Sequence, residues 1–148
     1  MKITYKQATK EDIPSLIVME KTMEGSKIYS AMVKEYEWEE AMQDGLVYVL
    51  EKEGRIIGNA TYEIKSQDYV YISGLLILPE FQSKGLGKEV MQDILQEIGH
   101  VARIDLVTHP DNVKAIRLYE SFGFIIESRK ENYFGDGEPR LIMCLVRS

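Results

Sequence analysis

The stretch that most constrains the fold of this chain is an apolar run at residues 75–78, which ends at Pro79 and leads into a short loop containing Gly85 and Gly87. Beyond the loop, apolar residues recur at helical spacing, at Val90, Met91, Ile94, Leu95 and Ile98. The stretch therefore predicts a buried strand, a tight loop and an amphipathic helix in direct succession.

A loop of this kind suits a pyrophosphate. The N-terminus of a helix has unpaired N–H groups and partial positive charge, and glycine lets a ligand approach the backbone closely. Two familiar phosphate loops are excluded, because the sequence has no Gly-Lys-Ser/Thr ending here and no G-x-G-x-x-G after the first strand. The alternative is that the two glycines only form a structural turn and do not bind a ligand.

The rest of the chain reads as a continuous series of elements. Before the loop we predict a strand at 1–6, a helix from Thr9 or Asp12 to about Met23, a helix at 28–42, and strands at 46–51, 55–65 and 69–78. After it we predict a helix up to Gly99, a strand at 103–107, a helix from Asn112 to Gly123, and strands at 124–132 and 140–146. The order β-α-α-β-β-β-α-β-α-β-β predicts an α/β (α+β) fold, a mixed and mostly antiparallel seven-stranded sheet flanked by four helices.

Charge and composition exclude several classes of function. The 148 residues carry 18 Lys and Arg against 24 Asp and Glu, a net charge of -6, which opposes binding to nucleic acid. No apolar run approaches the roughly 20 residues that span a membrane, and the N-terminus lacks the apolar stretch of a signal peptide. We therefore expect a cytoplasmic single domain over 1–148, with no nucleic-acid or membrane partner.

Metal and disulfide chemistry are also not expected. The chain has one cysteine, Cys144, within an apolar strand-like run, and two histidines, His100 and His109. These residues give no metal-ligand spacing and no internal disulfide. His109 lies in the loop after the strand at 103–107 and is interpreted as an ordinary loop histidine.

Two motifs in order give the chain a resemblance to a known family. Residues 82–87 read QSKGLG and residues 112–124 read NVKAIRLYESFGF. Here the chain resembles the GNAT superfamily of acyl-CoA N-acyltransferases, with motifs Q/R-x-x-G-x-G/A and N-x-x-A-x-x-L-Y-x-x-x-G-F. The order of elements fits that family over the whole chain, and parts resemble ribosomal-protein and peptide N-terminal acetyltransferases.

The resemblance implies acetyl-CoA as cosubstrate and an amine as acceptor. It places the acetyl-pantetheine arm along the backbone of Leu75, Leu76 and Ile77. It places the pyrophosphate and adjoining groups on Gln82, Ser83, Lys84, Gly85, Leu86, Gly87, Lys88 and Asn112. Lys114 and Arg117 are left out, because exposed basic residues on helix faces are usually only solvated.

The resemblance also assigns catalytic roles. Tyr119 would give a proton to the departing thiolate, and a backbone N–H near Ile77, at a bulge between the fourth and fifth strands, would meet the oxyanion. Ribosomal-protein N-terminal acetyltransferases carry a glutamate as base five residues before the motif asparagine, where this chain has Val107. No base is therefore assigned; Glu63, Ser73 and Asp105 are weighed as water-relay partners and interpreted as ordinary strand residues.

The acceptor is predicted to be a primary amine, with a protein or peptide α-amine slightly favoured. Tyr133 and Phe134 resemble the aromatic pair that contacts the acceptor in peptide N-terminal acetyltransferases, although hairpin-flanking aromatics are an equal alternative. Other readings are a small-molecule amine (a polyamine, an amino acid or an aminoglycoside-like compound) and a non-catalytic acyl-CoA-binding module. A homodimer is compatible with the sequence.

Overall fold

The computed structural model describes residues 2–147. Its strands are β1 (Thr4–Gln7), β2 (Gly45–Lys52), β3 (Arg55–Ser66), β4 (Tyr69–Ile77), β5 (Arg103–Thr108), β6 (Ile125–Lys130) and β7 (Arg140–Val146). Its α-helices are α1 (Ile13–Lys21), α2 (Glu35–Asp44), α3 (Leu86–Ile98) and α4 (Val113–Ser121). Short 3-10 turns precede α1 and follow β4. No helix in the described part of the chain has the length and apolar character needed to cross a bilayer.

The strands form one sheet in the order β1-β2-β3-β4-β5-β7-β6. Every neighbouring pair is antiparallel except β4 and β5, which are parallel and joined through α3. The predicted element order and the mixed, mostly antiparallel sheet with four helices are confirmed.

The helices cover both faces of the sheet, because alternate residues of β2 point in opposite directions. Val47 and Val49 pack with the buried residues of α1 and α2, which include Leu16 and Trp38. On the other face, Leu50 belongs to a larger cluster that contains four buried residues of α3: Leu86, Val90, Met91 and Ile94. The sheet is thus a rigid central layer that positions the loops at its edges.

The second predicted helix is shorter than expected. We predicted residues 28–42, but α2 begins at Glu35, and Lys34 before it has an extended backbone. Tertiary hydrogen bonds hold the preceding segment: the Met32 N–H donates to the Glu20 carboxylate at 3.1 Å, and the Met32 carbonyl accepts from the Trp38 indole at 2.9 Å. These partners compete with the bonds of a helix, so residues 22–34 instead form an irregular segment, here called the α1–α2 segment.

The parallel pair β4 and β5 separates partway along its length. Pairing runs from Tyr69 opposite Arg103 only to Ile72 opposite Leu106, although β4 continues to Ile77. The β3–β4 register also shifts, with Thr61 opposite Gly74 and Tyr62 opposite Ile72, so Ser73 is an extra, bulged residue. The bulge therefore lies four residues before the position near Ile77 that we expected. A bulge bends its strand, and β4 leaves β5 directly after it.

The separation leaves one edge of β4 without a partner strand. The Leu78 N–H donates to the Ile57 carbonyl of β3 at 2.8 Å. Because backbone groups alternate in direction along a strand, Leu76 also faces β3, whereas Leu75 and Ile77 face the gap. The Ile77 carbonyl accepts from the Gln82 side chain at 2.8 Å, from outside the sheet. This edge forms one wall of a cleft.

Candidate active site

The cleft opens where β4 and β5 separate and encloses about 790 Å³ of space that is continuous with solvent. Its lining comes from β3, β4, β5, α1, α4, the α1–α2 segment and the turn between β6 and β7. Leu75 and Tyr119 line it together, as do Thr61 and Ser73, whose hydroxyls are 2.7 Å apart. The cleft thus joins the open edge of β4 to polar groups from both halves of the chain.

The predicted phosphate loop lies just beyond the end of β4. Ser83 and Gly85 both have positive φ, 64° and 77°, and α3 begins at Leu86. Its first intrahelical hydrogen bond runs from the Glu89 N–H to the Gly85 carbonyl, so the N–H groups of residues 86–88 precede the ladder. A left-handed turn before a helix N-terminus makes an anion-binding concavity. The structure therefore brings residues 82–88 together in a form that fits a pyrophosphate.

Glycine is needed at one of the two motif positions for conformational reasons. Gly85 has φ 77°, in the left-handed region that other residues adopt at a cost, whereas Gly87 is the second residue of α3. A Cβ atom built on Gly87 would meet only the Leu118 side chain, at an ordinary contact distance of 3.7 Å. Packing alone therefore does not require Gly87.

Lys114 is a functional candidate that sequence reasoning left out. Its ammonium lies 3.2 Å from the Ser83 hydroxyl, beside the phosphate loop. Its position in the sequence could have identified it. Lys114 lies in the first turn of α4, and Asn112, which caps that end of the helix, lines the cleft. Lys84 instead extends over the Phe81 ring, 5.9 Å from its centroid, and Lys88 is exposed on α3.

Tyr119 and Asn112 both line the cleft. Burial alone raises the pKa of Tyr119 to about 12, so its hydroxyl is protonated at neutral pH. Within residues 2–147 this hydroxyl has no hydrogen-bond partner and is open to the cleft. Asn112 caps α4 by accepting the Ala115 N–H at 3.3 Å. Tyr119 thus offers the cleft a free O–H group, whereas the side-chain oxygen of Asn112 is already engaged in capping α4.

The positions considered from sequence for a base or water relay divide into those that line the cleft and those that do not. Ser73 lines the cleft beside Thr61, and Val107 lines it with an apolar side chain. Glu63 forms an ion pair with Lys65 at 3.5 Å, and Asp105 accepts from Arg103 at 2.7 Å; neither carboxylate lines the cleft. The two carboxylates are therefore engaged elsewhere.

Glu20 is a residue of the cleft that sequence reasoning missed. It is 2% exposed, and burial raises the pKa of its carboxyl group although three hydrogen bonds to the carboxylate oppose that rise. The signal was its position: Glu20 is four residues after Leu16 and seven after Ile13, on the apolar face of α1. A charged residue on such a face needs an explanation.

Of the aromatic pair predicted to contact the acceptor, only Phe134 lines the cleft. Tyr133 and Phe134 are 41% and 46% exposed and stack edge to face with ring centroids 4.8 Å apart. Arg140 is buried against the Phe134 ring at 5.1 Å and is paired with Asp136 at 3.0 Å. This arrangement fixes the turn between β6 and β7.

His109 has more contacts than an ordinary loop histidine. It is buried, its Nδ1 accepts the Asp111 N–H at 2.9 Å, and its Nε2 lies 2.7 Å from a Glu138 oxygen. Because Nδ1 is an acceptor, the neutral ring carries its proton on Nε2 and donates it to Glu138. Lys27 of the α1–α2 segment pairs with Asp111 at 3.0 Å. The two sides of the cleft are therefore linked beside His109.

No cluster of metal-binding side chains lies within residues 2–147.

Comparison with known proteins assigns the chain to a family of transferases. The model of the acetyltransferase (GNAT) family matches residues 13–124, a range that includes both motifs. The chain belongs to the acetyltransferase (GNAT) family. Acetyltransferases of this family use acetyl-CoA, and the open β4 edge with the positive-φ loop fits that molecule.

Two curated relatives act on different amines. Spermine/spermidine N(1)-acetyltransferase of Bacillus subtilis is 33% identical over 90 residues, which cover 54% of this chain and 57% of the relative. The [ribosomal protein bS18]-alanine N-acetyltransferase of Escherichia coli K12 is 32% identical over 83 residues, covering 53% and 56%. The chain thus spans little more than half the length of these relatives.

The fold is shared over nearly the whole chain. The crystal structure of the ribosomal-protein-S18-alanine N-acetyltransferase from Escherichia coli superposes with a TM-score of 0.81. The superposition covers 99% of this chain and 95% of that one at 23% sequence identity. At this identity the likeness establishes the fold.

Proposed function

We propose that this protein is an acetyl-CoA-dependent N-acetyltransferase that acetylates a primary amine, with a protein or peptide α-amine as the favoured acceptor. One observation carries the proposal: the open edge of β4 at Leu75 and the free hydroxyl of Tyr119 line the same cleft. An acyl arm held on that edge brings its thioester to the tyrosine.

The cofactor is held mainly by backbone groups. Leu75 and Ile77 pair with the amides of the pantetheine arm like an added strand, and the loop at Ser83 and Gly85 with the start of α3 holds the pyrophosphate. Lys114 adds a cation beside that loop. Bound acetyl-CoA supplies the activated acetyl group, and Tyr119 supplies the proton that the CoA sulfur takes up.

Two features support an α-amine as acceptor. An α-amino group has a pKa of about 7.7 to 8.0 and a lysine about 10.4, so an α-amine is neutral at lower pH and needs less help from a base. The position of the expected base is Val107, an apolar residue of the cleft. Phe134 is exposed and lines the cleft, with Tyr133 packed against it, and both rings are available to the residues that follow a peptide N-terminus. The bS18-alanine relative acts on such an acceptor.

A small cationic amine is the second candidate. The observation that favours it is the buried Glu20 carboxylate among aromatic residues of the cleft, which include Tyr29, Trp38 and Tyr71. Aromatic faces and a carboxylate together suit an ammonium ion. The spermine/spermidine relative acts on amines of this kind.

The test is CoA release from acetyl-CoA with a panel of N-terminal peptides, lysine peptides, polyamines and amino acids. We expect turnover with one acceptor class and the highest kcat/KM for N-terminal peptides. Turnover with polyamines alone would replace the first candidate by the second. Measurable acetyl-CoA binding without turnover on any amine would contradict the proposal and favour a non-catalytic acyl-CoA-binding module.

A further inference from the structure

Glu20 is held entirely by neutral groups. The Tyr29 hydroxyl donates to its two oxygens at 3.0 and 2.9 Å, the Met32 N–H donates at 3.1 Å, and the Asn59 amide donates at 3.0 Å. These three donors come from two parts of the chain: the α1–α2 segment supplies two and β3 supplies one. They fix the position of the carboxylate without neutralising its charge.

A cation is missing from this arrangement. Within residues 2–147 no Lys, Arg or His nitrogen lies within 4.0 Å of the Glu20 carboxylate. Arg140 lines the same cleft but is paired with Asp136. The carboxylate of Glu37, from α2, acts on Glu20 as a like charge. A buried carboxylate is costly unless a positive charge accompanies it.

The missing charge would have to arrive through the cleft. Glu20 lines it together with Asn59, Thr61 and Tyr119. Tyr29, which holds Glu20, lines the cleft together with Tyr119, and the Tyr119 phenol adds to the rise that burial causes in the pKa of Tyr29. Among the described residues, the titratable and charged groups that line the cleft with Glu20 are Tyr29, Tyr71, His109, Tyr119 and Arg140, and Glu37 acts on Glu20 from α2. An ammonium bound at Glu20 is therefore held in the cleft that Tyr119 also lines.

We infer that Glu20 is the residue that binds the acceptor amine as its ammonium ion and accepts its proton, supplying the base that Val107 does not. The inference rests on the proposed function and names the group that the site recognises, a primary ammonium. It also explains why a carboxylate occupies the apolar face of α1, because the acceptor completes an ion pair that the free protein lacks.

The protons balance as follows in one turnover. The ammonium gives one proton to Glu20, and the neutral nitrogen forms the C–N bond to the acetyl carbon while the C–S bond breaks. The nitrogen releases a second proton to water, and the CoA sulfur takes the proton of Tyr119, which water restores. Glu20 then returns its proton to water as the amide leaves, so each turnover releases one proton to solution.

The test compares Glu20→Gln, which keeps the size of the side chain and removes its charge, with Glu24→Gln, the same change at an exposed position one turn later. We expect kcat/KM for the acceptor to fall about 100-fold or more at pH 7 in Glu20→Gln only, the usual worth of a general base. The deficit shrinks as the pH rises above the pKa of the acceptor, because solvent then supplies neutral amine. Equal kcat/KM and pH profiles for wild type and Glu20→Gln would overturn the inference.

A second readout does not need turnover. With CoA bound, panel amines raise the unfolding temperature of wild type and of Glu20→Asp, which retains the charge, but not of Glu20→Gln. If no amine is acetylated while this Glu20-dependent shift is seen, the proposed function fails and with it the role of Glu20 as base, whereas its role in binding an ammonium ion stands. If amines shift Glu20→Gln as much as wild type, or shift none of the proteins, the inference is wrong. Acetyl-CoA affinity, unchanged in all variants, reports correct folding.

Discussion

The two halves of the cleft are built in different ways. Under the proposed function, the cofactor half consists of residues 75–88 and the start of α4, which are short contiguous segments that offer mostly backbone groups. The acceptor half uses side chains from α1, the α1–α2 segment, β3 and the turn before β7, which are distant in sequence. Backbone recognition leaves a glycine pattern in the sequence, whereas side-chain recognition depends on how distant segments meet.

The largest expected effect is at the junction of the two halves. Tyr119→Phe removes only the free hydroxyl, so we expect kcat to fall about 100-fold. The affinity for acetyl-CoA, measured by calorimetry, should stay within about twofold, since the ring and its packing against Phe124 are kept. A matched control is Tyr36→Phe, which removes an exposed hydroxyl on α2. An unchanged kcat in Tyr119→Phe would mean that the sulfur leaves without this proton.

The cofactor half can be disturbed through its backbone. Gly85→Ala places a side chain at φ 77°, at a cost of about 1 to 2 kcal/mol. Gly54→Ala, in the β2–β3 turn, is the control, because Gly54 has φ 76° and equally open surroundings. We expect both variants to lose similar stability in thermal unfolding, and only Gly85→Ala to bind acetyl-CoA about tenfold more weakly. Equal acetyl-CoA affinity in the two variants would contradict a phosphate role for the loop.

The acceptor half can be disturbed at its rim. Phe134→Ala should raise KM for N-terminal peptides about fivefold, because an exposed aromatic at a binding site is worth about 1 kcal/mol or more. Ile126→Ala removes an equally exposed apolar side chain on β6, outside the cleft, and should leave KM unchanged. Acetyl-CoA affinity is expected to stay constant in both. An unchanged peptide KM in Phe134→Ala would favour a small-molecule acceptor.

A smaller effect is expected at Lys114. Lys114→Met should weaken acetyl-CoA binding about threefold at low salt and less at high salt, because an exposed charge contributes under about 1 kcal/mol and is screened. Lys130→Met, on β6, removes an exposed charge elsewhere and is the control. A salt-independent loss, or an equal loss in both variants, would remove Lys114 from the cofactor half.

The smallest expected effect is on stability. Burial raises the pKa of Glu20 in the folded protein above that in the unfolded chain. The folded state then holds a proton that the unfolded state releases, so this group lowers stability as the pH rises from the unfolded pKa through the folded one. The unfolding temperature of Glu20→Gln relative to wild type should therefore increase between pH 4 and pH 7.5, as measured by calorimetry. A difference independent of pH would show that the pKa is not raised.

Sequence patterns predicted the fold well. Helical spacing and the glycine at position 99 predicted the extent of α3, and the two motifs predicted the family that comparison then established. The largest error in the fold was residues 28–34, which hydrogen bonds from Glu20 and Trp38 hold outside a helix. Periodicity predicts which residues face a core, but it does not predict which backbone groups form hydrogen bonds with a distant side chain.

Local sequence therefore determined the elements, their order, the strand-loop-helix at residues 75–88 and the position of Tyr119. The tertiary structure alone decided that β4 leaves β5 after a bulge at Ser73, and that Lys114 reaches Ser83. It also decided that Glu20 is buried in the cleft with no cation beside it among the described residues. The physical reason is range: hydrogen-bonded turns and periodic faces form between near neighbours, whereas a charge acquires its surroundings only when distant segments pack.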